Sequence, residues 1–325
     1  MSVLEAPART ETKSSGHERF HKLLAVAAKH PPARTAIAHP CDQVSLESAV
    51  KAAELRLIEP ILVGPEHRIR ELAKQFGLDI SRFEIVDASY SQESAAKAVE
   101  LVREGRADAL MKGSLHTDEV MGAVVKRDTG LRTARRISHC FVMDVPGHDQ
   151  PLVITDAAVN IAPDLKSKVD IVQNAIDLVH ALGPNEPRVA ILSAMETINP
   201  DVPSTIEAAA LCKMADRGQI TGGILDGPLA LDNAISIEAA AIKKIKSPVA
   251  GRANVLVVPD LEAGNMLAKS LSFLADADAA GIVLGAKVPV ILTSRADAET
   301  ARLASCAVAQ LIVAARKASA SAAIR

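Results

Sequence analysis

The stretch FEIVDASYSQESAAKAVELVREGRADALM, residues 83–111, decides the fold class. Two short apolar runs, FEIVD (83–87) and ADALM (107–111), enclose an amphipathic segment at 91–105. A strand, a helix and a second strand in that order form a βαβ unit, whose two strands lie parallel in one sheet. The pattern extends upstream. Strands are predicted at TAIAH (35–39) and PILVG (60–64), and helices at 17–29, 44–56 and 65–76.

Downstream, residues 127–150 read differently. RDTGLRTARRISHCFVMDVPGHDQ is dense in Arg and His and is punctuated by Gly147, and Pro151 follows it; a domain boundary is placed there. The alternation then resumes. Strands are predicted at 151–158, 188–194, 220–227, 254–260, 280–286 and 288–295. Helices are predicted at 165–182, 203–217, 233–245, 261–275 and 297–317. The expected architecture is α/β: two three-layer α/β domains with a cleft between them. Residues 1–17 read as a flexible tail, and 149–290 as domain two.

Composition narrows the function. Hydrophobic residues make up 49% of the 325, so a large core can form, but aromatics are only 2%. Few aromatics leave little to stack bases on, and a net charge of −2 lacks the basic excess of a nucleic-acid binder. Cys41, Cys140, Cys212 and Cys306 are widely spaced and form no C-x-x-C, which fits reduced thiols and a cytoplasmic protein. No apolar run approaches the ~18 residues of a membrane span, so no membrane is expected as a partner. His17-Glu18-Arg19-Phe20-His21 matches H-E-x-x-H, but Leu24 and Ala27 stand where the extended motif has Gly and His, and no metal is expected. Neither a Walker phosphate loop nor a strand-linked G-x-G-x-x-G is present.

In parallel sheets, ligands bind beyond the carboxyl ends of strands, which singles out three loops. In the first, Lys112, Gly113, Ser114, His116 and Thr117 offer charge, hydroxyls and a helix start suited to phosphate; an ordinary capped strand-to-helix turn reads equally well. In the second, Asp226 and Asp232 flank a Gly-Pro turn, and Asp226 could orient a cation or accept a proton. In the third, Thr293, Ser294, Arg295 and Asp297 lead into the last helix. There Arg295 can grip a phosphate through two nitrogens, Ser294 can donate to an oxyanion, and Asp297 or Glu299 can act as a base. Arg127, Arg132, Arg135 and Arg136 form the densest positive cluster.

Taken in order, LMKGSLHT (110–117), GLRTARRISHCFVMDVPGHDQPLVITDAAVNIAP (130–163), GGILDGPLALDNAIS (222–236), VVPDLEAGNMLAKSL (257–271) and PVILTSRAD (289–297) resemble the phosphate acetyltransferase and phosphate butyryltransferase family. The 130–163 segment is especially similar to the butyryltransferase branch. The resemblance implies a fold similar to isocitrate and isopropylmalate dehydrogenases, with the last strand and helix returning to domain one, so that domain one is 18–148 plus 291–325. It also implies a homodimer and transfer of a short acyl group between coenzyme A and inorganic phosphate through acyl phosphate. Coenzyme A is then a substrate, and no bound cofactor is needed. The resemblance makes Ser294 and Arg295 the catalytic pair, with Asp297 as base, because Ala301 stands where the acetyltransferase branch carries its Asp. It makes Arg132, Arg136, Lys112, Ser114, His116, Thr117, Asp226 and Asn265 substrate-binding residues. Two other readings remain: an NAD-dependent dehydrogenase of the same fold, and a non-catalytic acyl-CoA-binding protein.

Overall fold

A computed structural model describes residues 18–293 and 297–323. The expected tail, 1–17, and the expected catalytic pair, Ser294 and Arg295, lie outside the described residues.

The chain is α/β. After α1 (Glu18–Ala27) come β1 (Ala33–Ala38), α2 (Gln43–Glu54), β2 (Ile58–Gly64), α3 (Glu66–Phe76), β3 (Glu84–Asp87), α4 (Ser91–Arg103), β4 (Ala109–Lys112) and α5 (Thr117–Val125). Two consecutive strands follow, β5 (Ser138–Asp144) and β6 (Leu152–Thr155). The alternation resumes with α6 (Leu165–Leu182), β7 (Arg188–Leu192), α7 (Pro203–Asp216), β8 (Ile224–Leu229), α8 (Leu231–Ile235), α9 (Ile237–Ile242) and β9 (Val255–Val257). The chain then runs through α10 (Leu261–Leu274), β10 (Asp278–Leu284), β11 (Val290–Ile291) and α11 (Glu299–Ala323).

The described strands form one sheet in the order β3-β2-β1-β4-β11-β10-β5-β6-β9-β7-β8. Its first five strands are parallel, as are its last four. Between them β10 and β5 are antiparallel to their neighbours, so direction reverses three times from β11 to β6. The carboxyl ends of β1, β4 and β11 therefore face one edge of the sheet, and those of β6, β7, β8 and β9 face the other. Of the three loops singled out after strands, those after β4 and β11 thus face one edge and that at β8 the other.

Most predicted elements are present within a few residues. The differences have local causes. β5 was not foreseen, because SHCFVMD mixes polar and apolar residues; buried against β10 and β6, all but Phe141 are nonetheless buried. The expected helix 233–245 is split at Ser236, whose backbone is extended and whose side chain caps α9 by accepting from Ala239 N. β8 starts four residues later than expected, since Gly222 adopts φ 83°. β11 is short because the chain reaches it from a sharp turn at Gly285 (φ 84°) and leaves it at once toward Thr293.

α11 is the one described helix long and apolar enough to span a membrane, yet 61% of its most apolar window is buried in the protein. It packs against β10, α1, α2 and α6, joining the aliphatic core that also contains Ile37, Leu62, Met111, Val142, Ile282 and Ile291. Its apolarity thus belongs to a core helix. With so few aromatics, that core relies on tightly interlocked aliphatic side chains.

Candidate active site

The site is built from the turn after β4. Lys112 ends the strand beside Ala38 of β1, and the chain then crosses directly over β1. Gly113 N donates to Ala38 O (2.9 Å) and Ser114 N to His39 O (2.9 Å). Ser114 Oγ also donates to His39 O (2.8 Å) and accepts from Cys41 N (3.3 Å). A methyl group at Gly113 would sit 2.4 Å from Ala38 O and 2.6 Å from His39 O. Both are backbone atoms held in the sheet, so only glycine fits. Gly113→Ala is expected to cost about 2 kcal/mol or more, read as a lowered urea midpoint; an unchanged midpoint would show that the two strand ends separate freely.

Lys112 is buried, and its Nζ donates to the carbonyls of Gly113 and Leu115 (both 3.2 Å), bracing the turn from within. His116 caps α5, and its ring and the side chain of Thr117 stand exposed at the helix N-terminus. Glu119 closes this cap: its carboxylate accepts from His116 N (2.8 Å) and Ser91 Oγ (2.6 Å), and these bonds hold its pKa below the usual value. Part of the anion-binding capacity of this helix end is thus already used by Glu119.

The third expected loop arrives at the same edge. Thr293, Lys112, Gly113, Asp42 and Arg302 line one small hollow. Arg302 donates from Nε to Ser48 Oγ (2.7 Å) and from Nη1 to the carbonyl of Asp297, so α2 and α11 together fix the segment that carries Asp297. Lys51 pairs with Glu299 across the same two helices. Ala301 is a buried residue of α11. Lys112, Ser114, His116, Thr117 and Asp297 are therefore brought to one edge.

The other expected residues lie elsewhere. Arg132 bridges Ala286 beyond the carboxyl end of β10, at the opposite edge, and its exposed side chain meets no described partner. Asp226 sits inside β8, the last strand of the sheet, where its carboxylate accepts from Gly227 N (2.8 Å). Seven strand spacings separate β8 from β4, a path of roughly 33 Å along the sheet.

Arg136 and Asn265 belong to a second cluster that sequence reading missed. It is the turn after β6, Asp156–Asn160. Asp156 is 2% exposed and accepts from the N–H groups of Ala158 (3.0 Å), Val159 (3.0 Å) and Asn160 (3.2 Å), and from Asn160 Nδ2. Asn160 in turn accepts from Arg136 Nε (2.8 Å), aiming the guanidinium, while Asn265 Nδ2 donates to Ala157 O (3.3 Å). His139 of β5 lies beside Asp156; its ring is fully buried and its Nδ1 has no hydrogen-bond partner. Gly281 of β10 packs closely between the end of β11 and His139. A methyl there would fall 2.8 Å from Leu292 O, just past β11, and 3.1 Å from His139 Nε2.

Burial pushes the pKa of His139 down to about 4, against the opposing pull of Asp156. Between that value and the ordinary 6.5 the unfolded chain binds more protons than the folded one. Stability from this group is full above about pH 6.5 and falls as pH drops below it. Urea unfolding at pH 7 and pH 5 should show this loss, and His139→Asn should flatten it. A pH dependence identical in the variant would assign it to other groups.

A family model described as phosphate acetyl/butaryl transferase matches residues 88–310. A phosphate acetyltransferase of Rhizobium meliloti is 65% identical over 306 residues, covering 94% of this chain and 97% of that protein. A phosphate butyryltransferase of Clostridium beijerinckii is 42% identical over 300 residues, covering 92% and 99%. The crystal structure of a branched-chain phosphotransacylase from Enterococcus faecalis superposes with a TM-score of 0.76 at 32% identity, over 86% of this chain and 99% of that one. The fold is thus that of a phosphotransacylase. The chain belongs to the phosphate acetyl/butyryl transferase family.

Proposed function

We propose that the protein transfers a short acyl group, acetyl first among them, reversibly between coenzyme A and inorganic phosphate, by direct attack of the coenzyme A thiolate on acyl phosphate. The observation that carries this reading is the convergence of the Lys112–Thr117 turn and the Thr293 end of β11 at one sheet edge, in a chain 65% identical to a phosphate acetyltransferase.

A free thiol has a pKa near ~8.5 and needs a base as attack begins. Asp297, held by the Arg302 bridge to its own carbonyl, takes the proton. The acyl carbonyl becomes a tetrahedral oxyanion, to which Ser294 donates, and Arg295 holds the departing phosphate. The N-terminus of α5, with His116, Thr117 and Ser114, completes the anion site, and Lys112 supports it from beneath. Arg136, aimed by Asn160, and Arg132 serve phosphate or nucleotide groups of the substrate from the far side of β10. Asn265, which holds the Ala157 carbonyl, serves the substrate from the same turn as Arg136, and Asp226 contributes from β8.

The protein's own thiols fit the direct route. Burial pushes Cys41 up to about 11 and Cys140, Cys212 and Cys306 up to about 12, so none is a ready acyl carrier at neutral pH. The same reading includes the division into 18–148 plus 291–325 and 149–290, a homodimer, and a cytoplasmic location. The test is thiol release from acetyl-, propionyl- and butyryl-CoA with phosphate. A specificity constant highest for acetyl-CoA supports the reading. Preference for butyryl-CoA would move the assignment to the butyryl branch, and no release from any of the three would leave a binding protein.

A further inference from the structure

At the edge of the sheet away from the Lys112 turn, the structure holds a groove of about 690 Å³ between α6, the second half of α11 and the turn that joins β10 to β11. Its place is fixed by two contacts: Lys317 pairs with Asp108, just before β4, and Gln310 Nε2 donates to Pro31 O, just before β1. The groove has an apolar floor, including Leu178, Leu284 and Ile312, and a basic rim. Arg135, Arg316 and Lys287 supply three positive charges there. Asp177 is the one carboxylate in the lining, and it is taken by Arg135.

Arg316 donates to the carbonyl of Lys287 (3.0 Å) and has no carboxylate partner among the described residues. Arg316 is exposed at the rim; partial desolvation lowers the pKa of its guanidinium against the attraction of Asp177, and the neighbouring Arg135 lowers it further. Like charges gathered over an apolar floor are an arrangement that an anion relieves. The rim counts three cations against one anion, a surplus of two that a phosphate monoester, at about −1.5 to −2 near pH 7, would offset. The floor is wider than a bare inorganic ion needs, and the volume lies within the ~300–1,000 Å³ typical of small-molecule sites.

We propose that this groove binds an organic monophosphate of about mononucleotide size, at a site separate from the acyl-transfer edge. The phosphate meets Arg316 and Lys287, and the body of the ligand lies on the aliphatic floor. The site responds to its occupant through α11, whose first turn is tied by Arg302 to the segment carrying Asp297.

The test is calorimetric titration with AMP as the probe and inorganic phosphate alongside it, on the wild type and on Arg316→Gln and Lys287→Gln. AMP should saturate the wild type with Kd below about 1 mM, and bind at least fivefold more tightly than inorganic phosphate. Each variant should weaken AMP at least fivefold while keeping turnover at saturating substrate within twofold. Absence of saturable AMP binding overturns the proposal. So does equal AMP affinity in the wild type and both variants, since any binding would then be at the acyl-transfer edge.

Discussion

Replacing Asp156 with alanine is expected to destabilise the fold by about 3 kcal/mol or more, the largest stability effect anticipated for a single side chain outside the aliphatic core. Four donors converge on this one buried carboxylate: three successive backbone N–H groups and the Asn160 amide. Alanine leaves them facing an apolar hole. Each unpaired buried donor costs roughly 1–3 kcal/mol, part of which is recovered because the charge no longer has to be desolvated. The loss should appear as a drop in melting temperature on the order of 10 °C. The same change frees Asn160, and with it the aim of Arg136, so surviving enzyme should show a raised KM for phosphate. A melting temperature within about 2 °C of wild type would mean that water replaces the carboxylate and that the turn is not held by Asp156.

The second large effect is on chemistry. Arg295→Ala is expected to lower turnover at least tenfold, about 1.4 kcal/mol of transition-state stabilisation, while the melting temperature stays near that of wild type. The argument is chemical. A planar guanidinium can hold two phosphate oxygens at once and neutralise charge as the acyl–oxygen bond breaks. Thr293, immediately before the Ser294-Arg295 pair, lines the same hollow as Lys112 and Gly113. Arg295→Lys should recover only part of the rate, since an ammonium cannot make the paired contact. Near-normal turnover in Arg295→Ala would remove the guanidinium from the mechanism.

Much of the fold was legible because aliphatic runs such as ILVG and ALM have no other stable place than a covered sheet, and the helices between them carry plain amphipathic patterns. The site was only half legible. The Lys112–Thr117 turn announced itself through glycine and hydroxyls directly after a strand. Its glycine proves to be required by contact with the carbonyls of β1. Strand direction was not readable in the same way. β5 carries Ser, His and Asp among its apolar residues and so does not look like a buried strand. Missing it hides the reversal through β10 and β5, and that reversal decides which loops share an edge. This is why Asp226 and Lys112 looked like neighbours in kind and are far apart along the sheet.

The Asp156–Asn160 turn escaped for another reason. In TDAAVNIAP the aspartate falls within the strand predicted over 151–158 and the asparagine just beyond it. Only the fold shows the carboxylate turned inward onto its own backbone and the asparagine passing that order on to Arg136. His139 was likewise visible as a residue but not as a buried ring beside Asp156 with an unpaired nitrogen.

The most direct measurement follows thiol release from acetyl-CoA by purified protein while phosphate is varied from none to saturation, with acyl phosphate trapped by hydroxylamine. The account predicts no release without phosphate, a saturable rise with it, and one acyl phosphate formed per thiol freed. Thiol release that proceeds equally well without phosphate, or that yields free carboxylate in place of acyl phosphate, would contradict it.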